Sequence, residues 1–232
     1  MAVRRRAAAP KGAGERSPLS LKERARTLAN YLHEGDLPDG ALAGAAAVAV
    51  DSETMGLALG RDPLCVVQLS AGDGDAHVVR LARPGYDAPN LKRLLTDPAT
   101  LKIFHFGRFD IAMFLLHLNI LTGPVYCTKI ASKLARTYTD RHGLKDLVKE
   151  LLNVDLSKVQ QSSDWGAATL SAEQVAYAAS DVVHLHALKA RLDGMLAREG
   201  RAGLAKAAFE YLPHRAALDV AGWADVDIFA HS

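Results

Sequence analysis

Apolar runs in the first half of the chain predict strands. The segments AAAVAVD, LCVVQLSAG and AHVVRLA are rich in β-branched residues and are separated by glycine, aspartate and proline, which predicts a meander of three strands. The segment APNLKRLLTDPATL follows them and predicts a short amphipathic helix that opens at Pro89 and Asn90 and closes near Asp97 and Pro98. The segment KIFHF comes next and predicts another buried strand.

Helical periodicity dominates the second half of the chain. GRFDIAMFLLHLNIL carries apolar residues at helical spacing, which places Asp110 in a first helical turn, where the helix dipole favours a carboxylate. PVYCTKIASKLARTY and HGLKDLVKELLNV continue the helical pattern. After a polar stretch, SAEQVAYAASDVVHLHALKARLDGML predicts one helix that begins with a capping box of Ser171 and Gln174. Strands followed by helices predict an α/β or α+β layered domain, not a regular doubly wound sheet.

The composition is that of a soluble globular protein. Of the 232 residues, 49% are hydrophobic and 23% are charged, which are ordinary values for one domain with appendages. No apolar run approaches the ~20 residues that cross a bilayer, so no membrane partner is expected. Cys65 and Cys127 stand in apolar segments without metal-ligand spacing. We therefore expect free thiols and a cytoplasmic location.

The net charge of +2 hides an uneven distribution along the chain. Residues 1–26 hold eight basic and two acidic residues, a net charge of +6, whereas the remainder holds 20 basic and 24 acidic residues, a net charge of −4. Residues 1–27 are predicted to form a disordered basic arm, which either binds a polyanion loosely or is solvated without a partner. Residues 201–232 are predicted to form a helix and a tail that docks on a neighbouring subunit. The apolar residues of that tail are Trp223, Ile228 and Phe229.

Four acidic residues stand out at the ends of predicted elements or within them. Asp51 and Glu53 end an apolar strand, and because side chains alternate along a strand, both point to the same face. Two like charges side by side repel, so either both are exposed to water or a cation lies between them. Asp181 lies in a later helix with Tyr177 one turn before it, and Asp110 begins an earlier helix. Taken singly, each has an ordinary explanation as a surface charge, a helix-terminal charge or a packing residue.

The segments DSETMG, HFGRFD and YAASD, in this order, resemble the three motifs of the DEDD superfamily of 3′-5′ exonucleases. The Tyr-x-x-x-Asp spacing is similar to the DEDDy branch, and GLKDLV and SSDWGAATLSAEQVAYAASDV resemble stretches of ribonuclease D. TDRHGLKDL and the DIFAHS ending are most similar to small alphaproteobacterial ribonuclease D-like proteins, several of which are called nanoRNase C. The resemblance covers residues 28–232 and implies an exonuclease domain over residues 28–200. Its implied α/β fold is ribonuclease H-like, with a mixed central β-sheet flanked by helices.

The resemblance also implies a metal site. Two divalent cations, Mg²⁺ or Mn²⁺, are expected, because hard carboxylate oxygens suit these ions and a metal pair activates water and stabilises a leaving 3′ oxygen. Asp51 would bridge both ions, with Glu53 and Asp181 on the water side. Asp110 would help to hold the ion on the leaving-group side. Tyr177 would orient the attacking water, since a phenol with a pKa near ~10 is a poor base at neutral pH.

Further expectations concern contacts with the substrate. In this superfamily an apolar residue after the first motif wedges between the last two bases, and Leu57, with Met55 as second choice, occupies that stretch; both also fit a core. His105 would approach the substrate phosphate or be a buried, hydrogen-bonded histidine. Basic residues would form either a phosphate-binding rim or ordinary solvated charges. These residues are Arg108, Arg136, Arg141, His142 and Lys145.

The function implied by the resemblance is that of a metal-dependent 3′-5′ exonuclease that converts short RNA, above all dinucleotides, into nucleoside 5′-monophosphates. A ring-shaped homo-oligomer, an octamer, is implied as well, with the tail docked on a neighbour. Alternatives are trimming of longer RNA, degradation of DNA ends, and a non-catalytic member of the fold that binds RNA or another protein. A phosphatase or a structural Ca²⁺ site would leave the tyrosine spacing unexplained.

Overall fold

A mixed β-sheet runs through the part of the chain that is described, which is residues 29–156 and 162–231 of a computed structural model. Its strands are β1 (Asn30–Glu34), β2 (Ala47–Thr54), β3 (Leu64–Ser70), β4 (Ala76–Arg80), β5 (Leu101–Phe104) and β6 (Val125–Cys127). They lie in the order β1-β4-β3-β2-β5-β6. The neighbours β2, β3 and β4 pair antiparallel, and the other neighbouring pairs are parallel. The predicted meander is therefore confirmed.

Helices cover the sheet. They are α1 (Pro89–Thr96), α2 (Arg108–Leu118), α3 (Thr128–Ala135), α4 (Leu144–Leu152), α5 (Ala172–Val182), α6 (Leu185–Arg198) and α7 (Ala202–Leu218), followed by a π-helical turn, Asp219–Trp223. Helix α5 packs across β2, β3 and β4, whereas α2 packs on α7 and α3 on α6. The predicted α/β class, with a mixed sheet flanked by helices, is confirmed. No helix of the described residues is long and apolar enough to cross a bilayer.

Several local predictions are confirmed. Helix α1 begins at Pro89 and ends at Thr96, directly before Asp97. The capping box of α5 is complete, because Gln174 N donates to Ser171 Oγ (3.2 Å) and Ser171 N donates to Gln174 Oε1 (2.9 Å). Both cysteines are free and buried. The predicted basic arm, residues 1–27, lies outside the described residues.

Three local predictions were wrong or incomplete. The residues of β6 were assigned to a helix, but they pair in parallel with β5, so tertiary pairing overrides the local pattern. Strand β1 was missed because its sequence, NYLHE, is mostly exposed at the sheet edge and shows no clear alternation. The single helix predicted after Ser171 is two helices, since α5 ends at Val182 and α6 begins at Leu185. The β-branched pair Val182 and Val183 stands at that break.

The sheet brings the acidic segments to one edge. Val48, Ala49 and Val50 have no exposed surface, and the next residue of β2 is Asp51. Because β2 and β5 are parallel, their carboxyl ends lie at the same edge of the sheet. Helix α2 starts shortly after β5, and α5 crosses β2. The residues that follow β2, open α2 and lie within α5 therefore meet.

Candidate active site

Three carboxylates converge at the end of β2. Asp51, Glu53 and Asp181 each offer an oxygen atom, and these atoms all lie within 4.8 Å of one another. Asp51 and Glu53 project from the same face of β2, as the alternation of a strand requires. Asp181 comes from α5, which packs on that strand. Oxygen atoms at such separations are arranged as ligands of one cation would be.

A fourth carboxylate stands beside these three. Asp110 lies in the first turn of α2, as predicted, and only 5% of the residue is exposed. Ser52 Oγ donates a hydrogen bond of 2.6 Å to Asp110 Oδ1. The electrostatic field of Asp110 acts on both Asp51 and Glu53. The structure therefore places all four predicted acids in one cluster.

Mutual repulsion and burial shift the protonation of the cluster. Burial, together with the carboxylates of Asp181 and Asp110, raises the pKa of Glu53 to about 9. Burial raises the pKa of Asp181 to about 7 and the pKa of Asp110 to about 6. The pKa of Asp51 is raised well above its ordinary value by burial and then by its three acidic neighbours. A divalent cation bound among the carboxylates offsets their mutual repulsion and favours their ionised form. The carboxylate oxygens are therefore a donor set that fits Mg²⁺ or Mn²⁺.

Two polar partners of the acids were missed in the sequence. Gln68 Nε2 donates a hydrogen bond of 2.6 Å to Asp51 Oδ2, and Ser52 Oγ donates a hydrogen bond to Asp110 Oδ1. A glutamine inside the apolar run LCVVQLS is the signal that marks the first of them, because a buried amide needs a partner. Nothing in the sequence marks Ser52, whose partner lies in α2.

Tyr177 stands over the cluster as a hydrogen-bond donor. Burial, and then the negative charges of Asp181, Glu53 and Asp51, raise the pKa of its phenol. The hydroxyl therefore keeps its proton at neutral pH and bonds to Asp181. Its ring packs against Trp165 at a centroid distance of 6.1 Å. A donor held in this way is suited to orient a water molecule, not to remove its proton.

The acids open into a cavity of about 330 Å³. It is lined by Asp51, Ser52, Glu53, His105, Gly143, Leu144, Lys145, Asp146, Leu156, Tyr177 and Asp181. Lys145 is the basic side chain of this lining, and it stands in the first turn of α4, where free backbone N–H groups also favour an anion. Asp146 follows Lys145 in the same lining, so the part of the wall that α4 contributes carries one charge of each sign.

His105 lines the same cavity as a neutral ring. Burial, together with Lys129, lowers its pKa to about 3. Its Nδ1 is 2.8 Å from Thr128 Oγ1, and that hydroxyl donates its proton to the carbonyl of Phe104. His105 Nδ1 is therefore the donor to Thr128, and the half-buried ring both forms this hydrogen bond and lines the cavity, so the approach of His105 to the substrate phosphate stays a prediction.

The other residues that were predicted to contact the substrate lie in different surroundings. Met55 is 56% exposed and Leu57 is 83% exposed, so neither is part of the core. Arg108 instead binds Asp219, with Nε–Oδ2 and Nη2–Oδ1 distances of 2.5 and 2.8 Å, and lines a separate cavity of about 590 Å³ beneath the tail. Arg141 is exposed and is not among the residues that line the acidic cavity.

Arg136 departs most from the expected rim. The residue is completely buried, and its guanidinium donates to Glu150 and to the carbonyl of Arg141. Its Nη1 also donates to Ser132 Oγ, which contacts His142. Arg136 therefore supports the loop that leads into α4, and it is not available to a phosphate.

Comparison with known proteins gives a consistent result. The family described as 3′-5′ exonuclease matches residues 40–197. Ribonuclease D of Gluconacetobacter diazotrophicus is 40% identical over 138 residues, which are 60% of this chain and 35% of that protein. The structure of Brucella melitensis NrnC with bound Mg²⁺ is 53% identical, with a TM-score of 0.85, and covers 88% of this chain and 100% of that one.

A second structure of Brucella melitensis NrnC is bound to pGG. It is 53% identical, with a TM-score of 0.86, and covers 89% of this chain and 100% of the other. The likeness to NrnC therefore extends over nearly the whole described fold. In contrast, the match covers only 35–39% of the length of the ribonuclease D proteins of Gluconacetobacter diazotrophicus, Granulibacter bethesdensis and Acidiphilium cryptum.

Proposed function

Because the chain belongs to the 3′-5′ exonuclease family, we propose that it hydrolyses short RNA from the 3′ end, dinucleotides above all, and releases nucleoside 5′-monophosphates. The observation that carries this proposal is the convergence of Asp51, Glu53 and Asp181 within 4.8 Å, beside Asp110 and Tyr177. Four neighbouring carboxylates and a protonated phenol, of which three carboxylates and the phenol line one cavity, are the parts that metal-assisted phosphodiester hydrolysis needs.

The acids hold the metal site in this proposal. Two Mg²⁺ or Mn²⁺ ions, when bound, supply an activated water and stabilise the charge on the leaving 3′ oxygen. Asp51 presents its carboxylate at the centre of the cluster, Glu53 and Asp181 lie on the side of Tyr177, and Asp110 lies across from them beside Ser52. The Tyr177 hydroxyl, which donates its proton to Asp181, orients the water by accepting one hydrogen bond from it.

Short substrates are supported by features beside the acids. The acids line a cavity of about 330 Å³, and the start of α4 forms one of its walls. Leu57 and Met55 present exposed apolar surface just beyond Glu53, where a base can pack on them. The pGG bound to Brucella melitensis NrnC is itself a dinucleotide, which supports the same substrate class here.

A substrate-length series tests the proposal. End-labelled RNA and DNA of two to twenty nucleotides are incubated with the full chain in Mg²⁺, in Mn²⁺ and in excess chelator. We expect the fastest turnover on RNA dinucleotides, with 5′-monophosphates as products and no turnover in chelator. Faster turnover of long RNA or of DNA would show that those molecules, and not dinucleotides, are the preferred substrates. Binding without hydrolysis in every metal would indicate a non-catalytic member of the fold.

The oligomeric state and the cellular location of the protein are proposals as well. We infer a ring-shaped homo-octamer, in which the tail docks on a neighbouring copy, in the cytoplasm. The exposed apolar residues of the tail support it, since Trp223 is 48%, Ile228 43% and Phe229 77% exposed. Light scattering coupled to gel filtration measures the mass in solution, and a monomer at micromolar concentration would contradict the ring.

A further inference from the structure

A polar side chain stands in the middle of a strand that is closed to water. All seven residues of β3 are buried, and Gln68 has no exposed surface. Burying an amide without hydrogen bonds costs ~1–3 kcal/mol in proteins. The amide therefore requires a partner inside the protein, and the identity of that partner indicates its role.

The partner is the first acid of the cluster. Gln68 lies directly opposite Asp51 in the antiparallel ladder of β2 and β3, so the two side chains project from the same face as neighbours. Gln68 Nε2 donates to Asp51 Oδ2 at 2.6 Å, while its Oε1 has no partner among the described residues. The reversed amide would place two oxygens against each other. Asp51 thus determines the amide orientation, and the amide determines the rotation of Asp51.

Ser52 repeats this arrangement for a second acid. It follows Asp51 in β2, and its hydroxyl donates to Asp110 Oδ1 at 2.6 Å. Both donors come from the rigid β2–β3 ladder, whereas Asp110 belongs to a helix. In each case one carboxylate oxygen is bound by the protein and the other, Asp51 Oδ1 or Asp110 Oδ2, is free of that donor.

We propose that Gln68 and Ser52 are positioning residues of the metal site: each binds one oxygen of an acid and thereby fixes the orientation of the other oxygen, which is left for a cation. The inference rests on the proposed function, because it assumes that the acids bind divalent cations. Both hydrogen bonds also favour the ionised carboxylate, which a cation requires. Partners of metal ligands contribute about 10- to 100-fold to metal affinity when they orient the ligand.

Direct titration with Mn²⁺ tests the role of each donor. The full chain is titrated by calorimetry, and free Mn²⁺ is followed by electron paramagnetic resonance, so the readout does not depend on turnover. Gln68→Met keeps the side-chain volume and removes the donor, and Ser52→Ala removes the other donor. We expect the dissociation constant for Mn²⁺ to rise about 10- to 100-fold in each.

Two further variants separate positioning from general destabilisation. Ser52→Thr retains the hydroxyl and is expected to bind Mn²⁺ within about threefold of the unmodified protein. Ser70→Ala removes two hydrogen bonds of the same strand, from Ser70 Oγ to the backbone carbonyl of Asp75 (2.6 Å) and from Gly72 N to Ser70 Oγ (3.2 Å), neither of which involves an acid of the cluster. This control is expected to lose thermal stability but to keep its Mn²⁺ affinity.

The turnover kinetics add an independent signature. At limiting metal, Gln68→Met and Ser52→Ala are expected to lower kcat, and excess metal is expected to restore most of it with little change in KM. Mn²⁺ affinity within threefold of normal in both variants would overturn the inference and leave the proposed function intact. A failure of the unmodified protein to bind Mn²⁺ would overturn the proposed function itself. Equal weakening by Ser52→Ala and Ser52→Thr would show that the hydroxyl is not the cause.

Discussion

Replacing Glu53 by glutamine should stabilise the metal-free protein while it destroys the metal site. Glu53 is held among three other carboxylates, and burial together with Asp181 and Asp110 raises its pKa to about 9. An unfolded glutamate has an ordinary pKa of 4.5. Between these values the folded protein holds a proton that the unfolded chain releases. The free energy of unfolding of the metal-free protein therefore falls as the pH rises from about 4.5 towards 9.

The size of the effect follows from that difference. Each factor of ten in an equilibrium constant corresponds to ~1.4 kcal/mol, and pH 7 lies about 2.5 powers of ten above the ordinary pKa of 4.5, so the penalty at pH 7 is at most ~3.5 kcal/mol. Glutamine does not ionise and escapes this penalty. Because the repulsion is shared with Asp181 and Asp110, we expect Glu53→Gln to gain about 1–3 kcal/mol, or a Tm higher by about 3–10 °C.

Thermal and denaturant unfolding in excess chelator measure this gain. The gain should nearly vanish at pH 5 and reach its full size above about pH 9, which separates it from a packing effect. Glu210→Gln is the matched control. Glu210 is exposed on α7, 3.7 Å from Lys206 Nζ, and its replacement should change the free energy of unfolding by less than ~0.5 kcal/mol.

Saturating Mg²⁺ should reverse the order of stability. A ligand that binds only the folded state stabilises it in proportion to the logarithm of its concentration over Kd, so the unmodified protein gains more than Glu53→Gln. A Glu53→Gln variant that is less stable than the unmodified protein in chelator at pH 8 would refute this reasoning. An equal gain at pH 5 and pH 8 would refute it as well, because the repulsion would then not depend on ionisation.

Four further substitutions have distinct expected outcomes. Asp181→Asn should abolish turnover and leave the circular dichroism spectrum intact; near-normal turnover would contradict its place in the metal site. Tyr177→Phe should lower kcat about 100-fold, as expected for a lost hydrogen-bonding group near the reacting atoms, and should also weaken Mn²⁺ binding because its hydroxyl bonds to Asp181; an unchanged kcat would exclude the orienting role. Leu57→Ser should raise KM for dinucleotides about tenfold, since an apolar contact of ~1.5 kcal/mol is lost, and a normal KM would place the base elsewhere. Lys102→Met should lower the free energy of unfolding by about 2–4 kcal/mol, because the buried ammonium donates to three backbone carbonyls. A loss below ~1 kcal/mol, measured by urea unfolding, would show that water forms hydrogen bonds with these carbonyls in place of the ammonium.

The elements with strong local signals were predictable from the sequence. β2, β3 and β4 carry long apolar runs between turn residues, and α5 carries a capping box. The three residues of β6 carry no such signal, because their strand state arises from pairing with β5. The break between α5 and α6 interrupts a helical periodicity that the sequence shows as continuous.

The order of the acidic motifs in the sequence identified the four acids of the cluster. It did not identify the side chains that form hydrogen bonds with them. The contact of Gln68 with Asp51 depends on the register of β2 against β3, which the hydrophobic pattern leaves open. The ion pair of Arg108 with Asp219 joins residues 111 positions apart. The sequence therefore did not indicate that Arg108 pairs with an acid of the same chain, and Arg108 was assigned to the phosphate-binding rim. The exposure of Leu57 is likewise a tertiary property, since its apolar character fits a core as well as a surface.

Anomalous diffraction from crystals grown with Mn²⁺ tests the central claim most directly, because it locates the ion without relying on turnover. We expect anomalous density between the carboxylates of Asp51, Glu53 and Asp181, within coordination distance of their oxygens, and a second maximum beside Asp110. The absence of density at this cluster at millimolar Mn²⁺, with the four side chains ordered, would contradict a metal-dependent exonuclease.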